Sequence, residues 1–159
     1  MDGSALPRFK LAYITALQAR ANNVLYASPM QARDLQGETG TFVSAWFDDD
    51  AEANAEVHVF SGTPLIVDET FTVTLKIQAC GITTDDTQYA CDVKAVTLLG
   101  EAIGVLSTNP SLSIATDADL QMFAAVPAGW TYTSGVLPTN QRAAGFDLRI
   151  EVTARLLLQ

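Results

Sequence analysis

The 159-residue sequence is poor in the side chains from which most catalytic and metal sites are built. It contains one histidine, His58, and two cysteines, Cys80 and Cys91. Two thiolates are too few for a zinc site made of cysteine and too few for a scaffold held together by disulfides. Catalysis needs a nucleophile or base held against a partner, and the spacing of His58 and Cys80 does not support a thiol–imidazole pair. We therefore expect two free thiols, a solvent-facing histidine and no enzymatic activity.

Basic residues are also scarce. Nine lysine and arginine residues stand against 18 aspartate and glutamate residues, which gives a formal net charge of −9. Tight binding to a nucleic-acid backbone is disfavoured, because it depends on cations that displace counterions, and a polybasic membrane anchor is disfavoured for the same reason. Between Arg33 and Lys76 there are nine acidic residues and no basic one. This interval predicts a region of strong negative field, with solubility alone as the alternative interpretation.

Nucleotide-binding motifs and membrane-spanning runs are absent from the sequence. Neither GxxxxGK[ST] nor GxGxxG occurs. Residues 120–141 carry no charge, but prolines and glycines interrupt them, which argues against a transmembrane helix. Residues 1–4 lack the basic segment and apolar run of a signal peptide, so we expect the protein to be made and kept in the cytoplasm.

One acidic cluster follows the run of aromatic residues near position 45. Its members are Asp48, Asp49, Asp50, Glu52 and Glu56. Carboxylates are suitable ligands for calcium or magnesium, but this cluster lacks the spacing and central glycine of an EF-hand loop. We therefore interpret it as a solvated, charged hairpin tip, and no metal or other cofactor is predicted.

The remaining pattern is typical of a single domain with one hydrophobic core, since 48% of the residues are hydrophobic. Apolar spacing and caps predict a helix over residues 4–23 and a second helix that follows the capping residues 84–87 and ends before Asn109. Gly100 and Gly104 are expected to let that helix pack closely on a sheet. The predicted strands are 24–27, 41–47, 57–60, 70–79, 120–126, 130–136 and 144–156. This order predicts an α+β fold: a mostly antiparallel sheet with an N-terminal helix and a second helix packed on the sheet.

Several local sequences resemble the tail terminator proteins of long-tailed, siphovirus-type bacteriophages. They are PRFKL at 7–11, VLYASP at 24–29, ETFTVTLKI at 69–77, LSTNPSL at 106–112 and GFDLRIEVTARL at 145–156. In pattern and length the resemblance covers nearly the whole chain. It implies a structural virion protein at the head-proximal end of the tail, where a six-fold ring of copies caps the tail tube, stops its polymerisation and receives the neck proteins. DNA would pass through such a ring without specific binding.

The resemblance also suggests roles for two groups of residues. The loop 48–56, with the five acidic residues named above, is expected to face the ring lumen or a docking partner. Subunit contacts are expected at Lys76, Arg149, Glu151 and Arg155. The alternative for this second group is pairing across neighbouring strands within one subunit, which contributes little when the charges are exposed.

Three other functions remain open from the sequence. Neck or head-completion connectors and tail tube subunits share the size and the helix-plus-sheet composition of terminators. A small-molecule-binding domain is a further alternative, with the neutral, aromatic residues 123–132 lining a pocket.

Overall fold

The computed structural model describes residues 4–21, 26–29, 42–48, 51–59, 65–81, 88–114, 119–136 and 142–158. Over these ranges the chain forms two helices and six strands. They are α1 (Leu6–Arg20), β1 (Tyr26–Ser28), β2 (Phe42–Phe47), β3 (Glu52–His58), β4 (Leu65–Cys80), α2 (Gln88–Thr108), β5 (Leu120–Val136) and β6 (Arg142–Leu158). The fold is therefore a mixture of helices and sheet, as the order of patterns predicts.

All six strands belong to one sheet with the order β1-β2-β4-β6-β5. The long strands β4 and β6 pair along their whole length, from Leu65 opposite Leu158 to Cys80 opposite Ala143. The other edge of β4 is shared by β3 at its start and β2 at its end. Every pairing is antiparallel except that of β1 with β2. The mostly antiparallel sheet is thus consistent with the prediction.

Strict alternation gives the two central strands one buried face and one polar face. The odd-numbered residues of β4 from Val67 to Ala79 and the even-numbered residues of β6 from Ala144 to Leu156 are buried. Both helices pack on this side. We call the opposite side of the sheet the open face. It is formed by the even-numbered residues of β4, the odd-numbered residues 147–155 of β6 and their neighbours on the same face.

Helix α1 contributes large aromatic side chains to the core. The ring of Phe9 lies 5.7 to 5.9 Å from the rings of Phe47, Phe71 and Phe123, which belong to three different strands. Tyr13 is fully buried, and its hydroxyl donates a hydrogen bond of 2.6 Å to the carbonyl of Ala102 on α2. Full burial of each such side chain stabilises the fold by about 1.5–3 kcal/mol. The amphipathic spacing of the sequence therefore places α1 over the middle of the sheet.

The start of α1 is held by a residue of the sheet. Glu69 is buried on the helix side of β4, and its carboxylate accepts a hydrogen bond of 2.8 Å from the backbone N–H of Ala5. The hydroxyl of Ser4 donates a short hydrogen bond to the same carboxylate and accepts one of 3.1 Å from the N–H of Leu6. Negative charge and hydrogen-bond acceptors both stabilise a helix N-terminus. Ser4 therefore helps to hold the start of α1 together with a distant carboxylate, although the N-cap residue itself is Ala5.

Helix α2 ends at Thr108, before Asn109 and Pro110, as predicted; residues 84–87 lie outside the described residues. The expectation for its glycines is wrong. A Cβ atom at Gly100 would meet nothing within 4 Å, and one at Gly104 would lie 2.5 to 2.8 Å from the guanidinium group of Arg20. Gly104 therefore makes room for a side chain of α1 and not for the sheet, because it lies on the flank of α2 that faces α1.

The acidic segment is not a loop over its whole length. Residues Glu52 to His58 pair one by one with Thr72 to Ile66 of β4, so Glu52 and Glu56 lie on a strand. The alternation of Glu and Asn with alanine in this segment fits a strand with one polar face. It pairs here because β2 occupies only the other half of this edge of β4.

Residues 120–136 form one continuous strand and not two. The pairing with β6 shifts register between Pro127 and Gly129, which marks a β-bulge, and Gly129 has a φ of 146°. Proline is tolerated here because β5 is an edge strand, and glycine accepts the positive φ of the bulge without strain. The turn signals in the sequence therefore bend the strand without ending it.

Candidate functional site

The open face of the sheet brings most of the predicted site residues together. By the strand pairing, six described acidic side chains and three basic ones lie on it, a net charge of −3 with His58 neutral. The acidic residues are Asp48, Glu52, Glu56, Asp68, Asp147 and Glu151, and the basic residues are Lys76, Arg149 and Arg155. Asp49 and Asp50 lie outside the described residues. Four of the nine acidic residues between Arg33 and Lys76 thus lie on one surface, whereas Glu69 is buried on the helix side.

One cluster on this face joins three strands. The guanidinium group of Arg155 donates hydrogen bonds of 2.6 and 2.8 Å to the two carboxylate oxygens of Asp68. The imidazole Nε2 of His58 lies 3.3 Å from the same carboxylate. The hydrogen bond from Arg155 is the main cause that lowers the pKa of Asp68 below its ordinary value. His58 thus lies beside the Asp68–Arg155 ion pair of its own subunit, and its side chain remains 34% exposed.

A second cluster lies at the other end of the face. The ammonium group of Lys76 is 3.4 Å from the carboxylate of Asp147 and 3.5 Å from that of Asp48. Partial burial works to lower the pKa of Lys76, but the two carboxylates together raise it above its ordinary value. Lys76 and Arg155 thus both pair with carboxylates of their own subunit, which was the alternative to a subunit contact.

Three glutamates of the open face make no ion pair with any described residue. Glu52 and Glu151 lie on opposite sides of Thr72, one on each neighbouring strand, and Glu56 lies opposite Asp68. All three glutamates are exposed. Arg149 is exposed as well, and its guanidinium group donates a hydrogen bond of 3.5 Å to the carbonyl of Ala128. The three glutamates outnumber Arg149, so this part of the open face keeps a net negative charge.

The segment proposed as a ligand pocket does not form one lining. Phe123 is buried in the core against Phe9, whereas Trp130 and Tyr132 are 54% and 43% exposed at the edge of the sheet. A shallow hollow of about 440 Å³ lies beside Trp130, between Thr74 and Arg149. The bulge separates the buried start of β5 from its exposed end.

The buried thiols and the histidine do not meet. His58 is paired with Ile66 near the start of β4, and Cys80 ends the same strand, roughly 46 Å away at 3.3 Å per residue. Both cysteines are free and buried, and desolvation raises the pKa of the Cys80 thiol to about 11. Among the residues that the structure describes, no group of three or more metal-ligating side chains is placed to hold an ion.

The sequence predicted the charges of this surface but not the exposed aromatic residues at the edge of the sheet. Trp130 and Tyr132 carry no motif, and only their position on an edge strand exposes them.

In the described ranges, neither helix combines the length and apolar character needed to cross a bilayer. No protein-family model matches the sequence, and no curated protein matches it.

Proposed function

We propose that the protein is a phage tail terminator, a structural virion protein that caps the last ring of the tail tube and stops tube polymerisation. It acts as a homohexameric ring at the head-proximal end of the tail and offers the surface to which a neck or head-completion protein joins. It is assembled in the host cytoplasm, and its role requires neither catalysis nor a cofactor. The resemblance of the sequence supports this proposal.

The structural observation that carries the proposal is the acidic open face. Like charge repels DNA phosphates, so a lumen lined by this face lets DNA slide through without binding. Glu52, Glu56 and Glu151 would supply the repulsion, because none of them forms an ion pair with a described cation. The paired charges at the two ends of the face would contribute less, since each carboxylate there is largely compensated.

The helix side of the sheet meets a different requirement. The core between α1, α2 and the sheet is continuous, with Phe9 in contact with three strands. A ring under tension from DNA and from the neck needs such a rigid subunit. The polar face is then free for the lumen, while the edges and the helices are available for neighbours.

Deletion of the gene from the phage genome, followed by electron microscopy of the lysate, tests the proposal. We expect abnormally long tubes without heads, because polymerisation is no longer stopped. Normal-length tails beside full heads would instead identify a neck protein, and intact infectious particles would refute a role in the virion. A tube subunit is distinguished by the absence of tubes altogether.

A charge-reversed variant tests the role of the open face. We expect Glu52→Lys combined with Glu56→Lys to retard DNA delivery, because the lumen then attracts phosphate; tail length reports separately whether the ring still assembles. Thr97→Lys combined with Val93→Lys, on the exposed side of α2, is the control for two added lysines away from the open face; it changes the net charge by +2, against +4 for the reversal. Equal delivery by the charge-reversed variant and the control would show that the open face does not line the lumen.

A further inference from the structure

The end of β5 is a sheet edge that no other described strand covers. All seven residues from Trp130 to Val136 are exposed, and none of them is charged or proline. β5 pairs only with β6, so the other side of this strand is free among the described strands. Natural sheets usually block such edges with charges, prolines or bulges, because free backbone groups recruit other strands. We call residues 130–136 the free edge.

The start of the same strand is protected. The backbone N–H of Ala125 donates a hydrogen bond of 3.1 Å to the carbonyl of Pro110, so the loop after α2 covers the edge there. Pro127 and the bulge at Gly129 follow directly. The protection therefore stops where the free edge begins, which points to a partner strand at that place.

The free edge is also rigidly presented. The ring of Trp130 stands edge-on to Phe146 at 5.2 Å, and the ring of Tyr132 lies 5.4 Å from Phe146. The hydroxyl of Tyr132 donates a hydrogen bond of 2.6 Å to Asp92 of α2. Half-exposed aromatic side chains that are already held in place lose little freedom when they bind. On the helix side, the free edge thus offers two aromatic rings that are held in place, followed by Ser134 and Val136.

The chain itself carries a strand that matches this edge. β3 is exposed along its length and lies at the opposite edge of the sheet, beyond β4. Its alanines and Val57 lie on the helix side, opposite Phe71, Glu69 and Val67. Its glutamates and Asn54 lie on the open face. β3 therefore has one apolar row and one acidic row, and one of its sides pairs with no other described strand.

We propose that β3 of one copy adds to the free edge of a second copy as an antiparallel pair. The matching register places Val57 opposite Tyr132, Ala55 opposite Ser134 and Ala53 opposite Val136. On the other face it places Glu56 opposite Thr133, so a carboxylate meets a hydroxyl and no like charges face each other. A shift by one residue would put the glutamates against the aromatic row.

The proposed contact has two consequences for assembly. The two strands lie at opposite edges of the sheet, so the contact is head-to-tail and each copy keeps one edge for the next. The sheets also continue with their open faces on the same side, which makes the acidic surface continuous from copy to copy. This contact describes how the copies of the proposed ring are joined. Only its closure into a hexamer rests on the proposed function.

Site-directed cross-linking of purified protein tests the contact. Ala55→Cys and Ser134→Cys variants are mixed in equal amounts and oxidised with a copper–phenanthroline complex. We expect an adduct of one variant with the other and no adduct of either variant with itself. Adducts of Ser134→Cys with itself would indicate a two-fold pair of β5 edges, and that result or the absence of any adduct would overturn the proposal. The unaltered chain is the control, because Cys80 and Cys91 are buried.

A charge cycle tests the register. Thr133→Glu, introduced into the cross-linking pair, should reduce the mixed adduct about tenfold, because it sets two carboxylates opposite each other. Glu56→Lys in the partner should restore the adduct. Thr97→Glu, which adds the same charge on α2, should leave it unchanged. Equal adduct yields from Thr133→Glu and Thr97→Glu would overturn the register.

These results separate the contact from the proposed function. Cross-linking uses purified protein and no phage component, whereas the gene deletion reads tail length and head attachment. A mixed adduct together with intact phage after deletion would refute the terminator and leave the contact standing. Long headless tubes after deletion, together with adducts of each variant only with itself, would support the terminator and refute the contact.

Discussion

Glu69 allows the sharpest test of how the sheet and the first helix support each other. Glu69 is only 4% exposed, and its carboxylate accepts hydrogen bonds from the N–H of Ala5 and the hydroxyl of Ser4. Glu69→Ala removes both acceptors and the negative charge beside the helix N-terminus. The N–H of Ala5 is then left without its partner in a buried position, since Ala5 itself is fully buried.

The expected loss follows from these contacts. A hydrogen bond to a charged group contributes about 1.5–3 kcal/mol, and a charge at a partly buried helix terminus adds up to about 2 kcal/mol. The contributions overlap, and the Ser4 hydroxyl can turn to water because Ser4 is only half-buried. We therefore expect Glu69→Ala to lower the free energy of unfolding by about 3 kcal/mol. Glu69→Gln keeps one oxygen acceptor and should lose about half of that.

Urea unfolding followed by tryptophan fluorescence and far-ultraviolet circular dichroism measures both variants. Asp68→Ala is the matched control, because Asp68 is the neighbouring residue on the open face and its pairing with Arg155 is exposed to solvent. It should lose less stability than either Glu69 variant. A loss below about 1 kcal/mol for Glu69→Ala, or an equal loss for Asp68→Ala, would refute the capping role of Glu69.

Three further predictions concern the helices, the open face and the thiols. Gly100→Ala should raise the free energy of unfolding by about 0.5–1 kcal/mol, because the site is open and glycine disfavours a helix; Gly104→Ala should gain less in the same urea titration, since its methyl group must displace the guanidinium of α1. Nuclear magnetic resonance should show that the carboxyl of Asp68 titrates below its ordinary pKa, and in Arg155→Ala the pKa should return toward the ordinary value. Because folding lowers this pKa, the pair stabilises the protein at a pH above the pKa of the unfolded state. The stabilisation is lost as the pH falls through the pKa of the folded state. Cys80 should react with a disulfide reagent only on unfolding, because burial raises its thiol pKa to about 11, and rapid labelling of the native protein would contradict its position.

The periodicity of the sequence was sufficient for the central elements. The two-residue alternation of 70–79 and 144–156 identifies β4 and β6, since each strand has one dry face and one polar face. The spacing of Phe9, Tyr13 and Leu17 identifies the buried side of α1. These signals are local, so they can be recognised without knowing what each segment packs against.

Predictions from turn residues were wrong where the effect of the residue depends on the position of its strand in the sheet. Pro127 and Gly129 are typical of a break between strands, yet they bend one strand, because β5 lies at the edge and needs no partner for the missing N–H of proline. The acidic residues around Glu52 are typical of a loop, yet they pair, because half of one edge of β4 is available to them. Edge position is a property of the sheet and leaves no mark in the segment itself.

At the candidate site, too, the sequence determines the charge, whereas the tertiary structure determines where each charged side chain lies. The sequence alone established an acidic chain whose negative charge is concentrated before Lys76. Only the tertiary structure decided which of those carboxylates are compensated, since Asp68 meets Arg155 across 87 positions while Glu69, its neighbour, turns inward to α1. Adjacent residues of a strand face opposite sides, so the strand pairing decides what each one meets.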